Sequence, residues 1–189
     1  AKLDHHRKLR SGFGETVFCQ GKPDAYLMEI YKRFYERDGE VLGTRASEEQ
    51  HVLVKSAVPE VVYDPISRIL KVERPGKERK GLIAVCTGGT ADIPVAEEAA
   101  QTAEYFGTKV DRIYDVGVAG IHRLFERLET IREANALIVI AGMEGATPSR
   151  PGARPVYMQG RRKPPESLLA TRGPQCALEA PSEPHMCAE

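Results

Sequence analysis

The sequence predicts an α/β protein, with a small N-terminal α/β domain over residues 1–75, a linker over 76–81 and a parallel three-layer domain over 82–146. Three observations predict it. Residues 82–143 alternate strand, helix, strand, helix, strand with short connections, a pattern that implies right-handed crossovers and a parallel sheet. Each of those strands breaks into a glycine-bearing turn, GGTAD, DVGVAG or AGMEGA, at the end where such sheets collect ligands. Upstream, periods of two and of 3.6 residues alternate on a smaller scale.

Taken in order, AKLDHHRKLRSGFGE is a basic, turn-rich arm. Its adjacent His5 and His6 point to opposite faces of an extended chain and have no third ligand nearby, so solvation is favoured over metal binding. ETVFCQG reads as a strand and PDAYLMEIYKRFYERDG as a helix with Leu27, Ile30, Tyr31 and Phe34 on its apolar side. EVLGTRAS is a second strand, SEEQHVLVKSAVP a short helix stopped near Pro59, and EVVYD and SRILKVER two further strands. ERPGKERKG reads as an exposed, solvated connection.

The second domain opens with LIAVC, a strand buried on both faces. The turn after it can aim backbone N–H groups at an anion, with Pro94 in the first helical turn. The next helix puts Val95, Ala99, Ala103 and Phe106 on one face, turns Glu97, Glu98, Gln101 and Glu104 toward water, and stops at Gly107. KVDRIYDVGVAG supplies a strand and turn. IHRLFERLETIREAN reads as one helix that buries Ile121, Leu124, Phe125, Leu128 and Ile131, and ALIVIAGM as the third strand. Residues 147–189 hold eight of the thirteen prolines and no clear period, so they read as a disordered tail that leaves the sheet with three strands.

Composition sets limits on function. Lys and Arg number 27 and Asp and Glu 27, which argues against a nucleic-acid backbone or an anionic membrane as partner. No run approaches a membrane span and no signal peptide is expected, so the expected location is cytoplasmic. Four cysteines without CxxC spacing read as reduced thiols, and no ligand cluster calls for a metal.

RSGFGETVFCQGK, VLGTRAS, TGGTADIPVAEEA, DVGVAGIHRLF and AGMEGA together resemble one family, over about residues 3 to 146. It is the pyridinium-3,5-biscarboxylic acid mononucleotide synthases of nickel-pincer cofactor synthesis, the LarB family, whose catalytic domain is similar to the aminoimidazole ribonucleotide carboxylases of purine synthesis. The resemblance implies a three-layer, flavodoxin-like carboxylase-like domain that assembles as a homo-oligomer. It also implies carboxylation of the pyridine ring of nicotinic acid adenine dinucleotide by CO2 or bicarbonate, with cleavage of the phosphoanhydride and release of AMP. No cofactor is bound covalently, and Mg2+ is an allowed companion of the phosphates. An electron-poor ring cannot attack CO2 until a nucleophile adds to it, and a thiolate suits that reversible addition. In the family the thiol lies in an Asn-Ser-Cys segment near the C-terminus. Residues 147–189 have no counterpart of it, so the domain reads as truncated or its end as a shifted reading frame, and Cys176 and Cys187 are not assigned that role.

Carried onto matching positions, the resemblance makes His122, Glu144 and Asp92 the catalytic candidates. Gly88, Gly89, Thr90, Asp92, Asp115, Gly117, Arg123, Gly142 and Met143 are candidates for substrate binding. Arg10, Glu15, Lys22 and Arg45 of the first domain are candidates to close over the site. Each has a plainer alternative. Thr90 and Asp92 could cap the helix, and Asp115 could start a turn instead of binding a ribose hydroxyl. His122 and Arg123 could cap a helix instead of shuttling a proton and gripping phosphate. Glu144 and the first-domain charges could be ordinary surface groups, and Cys86 is best read as a small buried hydrophobe. Two rivals stand beside the main expectation: an aminoimidazole ribonucleotide carboxylase or mutase, and a non-catalytic nucleotide-binding remnant.

Overall fold

The computed structural model describes residues 12–117, 121–141 and 155–157. Its first domain is a mixed four-stranded sheet in the order β1-β2-β4-β3, built from β1 (Thr16–Phe18), β2 (Val41–Thr44), β3 (Val62–Asp64) and β4 (Ile69–Val72). β1 and β2 run parallel, joined by α1 (Asp24–Asp38), and β4 lies antiparallel to both its neighbours. α2 (Glu48–Ala57) joins β2 to β3. Gly39 ends α1 in the left-handed region, φ 62°, and its N–H donates to the Tyr35 carbonyl. Ser47 opens α2 with a capping box: its hydroxyl accepts from the Gln50 amide, and the Gln50 side chain accepts from the Ser47 amide. Leu27, Ile30, Tyr31 and Phe34, the apolar face expected of α1, are buried against Val17, Val41, Val54 and Val72.

The second domain follows as β5 (Lys80–Thr87), a 3-10 turn (Thr90–Asp92), α3 (Ile93–Tyr105), β6 (Thr108–Ile113), α4 (Ile121–Phe125), α5 (Leu128–Glu133), β7 (Ala136–Ile140) and β8 (Pro155–Tyr157). All its strand pairs are parallel, in the order β6-β5-β7-β8. Second, first, third, fourth is the flavodoxin-like order, and the α/β class with its parallel sheet is as expected. β8 is a correction. The segment expected to carry no strand supplies a fourth one, paired to β7 from Leu137 to Val139. Three residues are too few to show a period, and proline is tolerated at a strand's first position.

Two further expectations change. The single helix over 121–135 is two short ones, because Arg127 leaves the helical region at φ −107°, ψ 7°. Leu124 and Ile131 are buried as expected, but the break leaves Phe125 62% exposed. The second change concerns α3. Its wholly buried face is Ala96 and Ala100 against Val85 and Ile140, with Val95 and Ala99 only partly buried at its margin. Its polar side does not face water. Arg112 of β6 grips Glu104 through both terminal nitrogens, 2.7 and 3.1 Å, and Glu97 through Nε at 3.0 Å, while the Tyr114 hydroxyl donates to Glu97 at 2.7 Å. Glu98 and Gln101 meet Arg45 and Asp64 of the first domain. A helical period shows which side is polar, not whether charged partners lie opposite.

The first sheet is thus covered on both faces, by α1 and α2 on one side and by α3 on the other, where Leu42 and Ile69 pack on Tyr105 with Phe106 beside them. The connection between domains is fastened rather than freely solvated. Lys77 pairs with Glu40 at 2.8 Å and sits over the Tyr105 ring, and Arg74 donates to the Asp38 carbonyl. Among the described residues, no helix is long and apolar enough to cross a membrane.

Acid should loosen this junction. Burial pushes the Asp64 carboxyl up, but hydrogen bonds from the Ser67 hydroxyl and amide, from Gln101 and from the Ile66 backbone outweigh it and leave the carboxyl below its ordinary value. The bond from Arg112 likewise holds Glu104 low. A depressed carboxyl contributes stability that is complete above its unfolded pKa and is lost as pH falls through the folded one. The melting temperature should therefore hold between pH 7 and about 5 and fall below about pH 4. Differential scanning calorimetry of Asp64→Asn should show a shallower acid fall; an unchanged profile would remove Asp64 from the account.

Candidate functional site

The carboxyl ends of three parallel strands converge on the residues that follow β5. Thr87, wholly buried at the end of β5, accepts from the Asp115 amide through its hydroxyl at 2.9 Å and from the Val116 amide through its carbonyl at 3.0 Å. The next amide, Gly88, donates to Ile140 at the end of β7, 2.9 Å away. These three bonds tie the GGTAD turn, the DVG turn and the end of β7 into one cluster. Thr87 is a further site residue beside the candidates, and a polar residue closing an apolar strand just before two glycines is its signal in the sequence.

The glycines here have distinct roles. A Cβ at Gly117 would stand 2.4 Å from the Gly88 carbonyl oxygen, so this approach needs glycine. A Cβ at Gly88 would meet Ala141 at 3.3 Å, whereas one at Gly89 would meet nothing within 4 Å. Gly89 borders open space directly before the 3-10 turn, where unpaired amides can face an anion.

Thr90 is exposed and Asp92 half-buried at the start of α3. The plainer reading of Asp92 as a cap is not what the geometry supplies. It occupies the N-cap position with φ −92° and ψ −9°, and its side chain makes no capping bond. Asp115, in the left-handed region at φ 59°, ion-pairs with Arg123, Nη1 to Oδ2 at 2.5 Å. The ribose candidate and the phosphate candidate therefore hold each other in the absence of ligand. With side chains 45% and 40% exposed, that pair is solvent-screened and weak enough for a phosphate to displace. His122 is exposed beside Arg123 at the start of α4.

The first-domain candidates divide. Arg45 follows β2 and reaches Glu98 of α3 at 3.3 Å, and the parallel register of β1 with β2 puts Lys22, just after β1, at the same end of the sheet. Glu15 precedes β1. Its neighbours Phe13, Gly14 and Thr16 line a cavity of about 420 Å³ with Ala103 and Phe106 at the far end of α3, so Glu15 is not brought to the strand-end cluster. Arg10, Gly142, Met143 and Glu144 lie outside the described residues, as do His5, His6, Cys176 and Cys187.

The two described thiols are poor nucleophiles. Burial, with Asp111 adding to it, pushes Cys86 up to about 12, and burial also raises Cys19, whose Sγ lies 3.5 Å from the Tyr31 hydroxyl. Cys86, 2% exposed, is the small buried hydrophobe it was read to be. Among the described residues, no group of three or more His, Cys, Asp or Glu could hold a metal ion.

Residues 1–74 match the family described as the LarB/PurE-like N-terminal domain. The chain is also 35% identical over 157 residues to uncharacterized protein MJ0165 of Methanocaldococcus jannaschii, an alignment that takes in 78% of this chain and 61% of that protein. The chain thus spans about three fifths of that relative's length. The family match thus falls on the first domain, and the flavodoxin-like sheet follows it in the chain.

Proposed function

We propose that this chain carries the nucleotide-binding part of a carboxylase that acts on nicotinic acid adenine dinucleotide, joins CO2 or bicarbonate to the pyridine ring and releases AMP. The observation that carries the reading is the strand-end cluster: open space at Gly89, uncapped Thr90 and Asp92, and the Asp115–Arg123 pair, in a chain that begins with a LarB/PurE-like domain.

In this reading the amides after Gly88 and the Arg123 guanidinium take the phosphates, and Asp115, released from Arg123, accepts from a ribose hydroxyl. Carboxylation replaces a ring C–H bond by a C–C bond. A thiolate first adds to the pyridinium, the resulting enamine carbon attacks CO2, a base removes the ring proton, and the thiolate leaves with the C–S bonding pair as the ring nitrogen's lone pair restores the aromatic pyridinium. Water then cleaves the phosphoanhydride. His122 and Glu144 are the candidate bases and Asp92 the third carboxylate or proton carrier of the site. The thiolate is not Cys19 or Cys86, because both are buried and protonated near neutral pH.

The test is mass spectrometry of the chain incubated with nicotinic acid adenine dinucleotide and 13C-bicarbonate. Binding of the dinucleotide by calorimetry is the result expected of this chain, and AMP with a mononucleotide heavier by one labelled carboxylate is the result expected wherever a reactive thiol completes the site. Turnover of aminoimidazole ribonucleotide in place of the dinucleotide, or no binding of either by calorimetry, would sink the proposal.

A further inference from the structure

The first domain holds α3 along one stripe. Arg45 meets Glu98, Asp64 accepts from Gln101 at 2.7 Å, and Leu42 and Ile69 pack on Tyr105. Positions 98, 101 and 105 fall three and four residues apart, so they share one face from the second turn of the helix to its last. The opposite face, against the sheet, is Ala96 and Ala100, both wholly buried. Methyl groups form shallow ridges, so that face does little to resist sliding of the helix along its own axis. Its axial position is fixed by Arg112 and Tyr114, which hold Glu97 and Glu104 from the second domain, together with the contacts from the first domain.

α3 is continuous with the 3-10 turn over Thr90–Asp92. That turn has few bonds of its own. The Asp92 amide donates to the Gly89 carbonyl at 3.2 Å, the Ile93 amide donates to Thr90, and neither the 3-10 turn nor α3 has a side-chain cap. Arg45 is itself held in an unusual state. Its φ is 57°, a conformation that is costly for a β-carbon residue, and Arg68 spans it by donating to the Arg45 and Ala46 carbonyls. A strained residue aimed at a helix of another domain is a positioning feature.

We infer that Arg45, Gln101 and Asp64 are positioning residues: through α3, the first domain acts with Arg112 to set where the Thr90–Asp92 turn stands. Arg45 then acts on Glu98 rather than on the ligand, unlike the role the family resemblance suggests for it. The inference rests on that turn being an anion site only for its consequence in binding.

Hydrogen exchange on the full, ligand-free chain tests it. Arg45→Glu places two carboxylates together, and exchange of the Asp92 and Ile93 amides should quicken by about tenfold. The Gly88 amide, tied to Ile140 in the sheet, should keep its rate. Adding Glu98→Arg restores the pair in reverse and should return both turn amides to the wild-type rate. Titration with inorganic phosphate should follow the same order, weaker in the single variant and recovered in the double. Unchanged Asp92 and Ile93 rates, an equal rise at Gly88, or no recovery in the double variant would overturn the inference. If Arg45→Glu fails to fold, Gln101→Leu supplies the same exchange reading. The exchange result does not depend on what the turn binds, so failure of the phosphate titration alone would count against the site and not against the positioning.

Discussion

Alanine at Gly43 should be among the most damaging single changes in the first domain. A Cβ there would stand 1.8 Å from the Tyr31 hydroxyl oxygen, 2.7 Å from the Cys19 sulfur and 3.0 Å from the Tyr31 ring carbon that bears the hydroxyl. A clash with the far end of a side chain is cheap only if that end can swing away. Here it cannot, because Tyr31 is wholly buried and its hydroxyl donates to the Leu70 carbonyl of β4 at 2.9 Å, while Cys19 is wholly buried beside it. Relief would require moving α1 off the sheet or leaving a buried carbonyl without its donor. Overpacking and a lost buried hydrogen bond together suggest about 3 kcal/mol, or a fall in melting temperature on the order of 10 °C. Gly43→Ala with Tyr31→Phe removes the closest contact and should recover part of that loss. Thermal unfolding of the three variants decides the matter, and a Gly43→Ala protein that melts with the wild type would mean the Tyr31 hydroxyl is not seated against β2.

This contact also shows where legibility in the sequence stops. Leu27, Ile30, Tyr31 and Phe34 were readable as a buried face because spacing on one helix is a property of contiguous residues. That the Tyr31 hydroxyl crosses β2 to reach Leu70, 39 positions away, is a property of the packed fold. The same division runs through the site. The turns at Gly88 and Gly117 are visible because glycines follow apolar strands there, and Thr87 shows as a polar strand end, but that its hydroxyl and carbonyl tie the two turns together depends on the packed fold. Asp115 and Arg123 each stand out in the sequence, but their pairing does not, since their meeting depends on how the chain between β6 and α4 turns. Glu15 and Arg45 looked alike as charges within family motifs; the direction of β1 and β2 across α3 sends one to the far end of the helix and the other toward the turn. β8 was missed because three residues cannot display a period.

Alanine at Gly117 should damage binding more than folding, because here the obstruction is backbone against backbone. The added methyl would lie 2.4 Å from the Gly88 carbonyl oxygen, and Gly88 cannot retreat: its amide is bonded to Ile140 and its own α-carbon faces Ala141. The DVG turn must move instead, and with it Asp115 and the Arg123 side chain that Asp115 holds. Misplacing a binding constellation by about 1 Å corresponds to losses on the order of 100-fold, so calorimetric titration with nicotinic acid adenine dinucleotide should show affinity falling by roughly that factor. Stability should drop by only about 1–3 kcal/mol, because the strain is confined to the end of the sheet. Gly89→Ala provides the contrast. A methyl there meets no protein atom within 4 Å, so the melting temperature should stay unchanged, while the methyl occupies the space through which a phosphate would approach. Affinity lost in both variants, with stability lost only at Gly117, is the signature of a ligand seated between these turns. If Gly89→Ala binds as tightly as the wild type, the open space beside it is ordinary surface and the phosphates lie elsewhere.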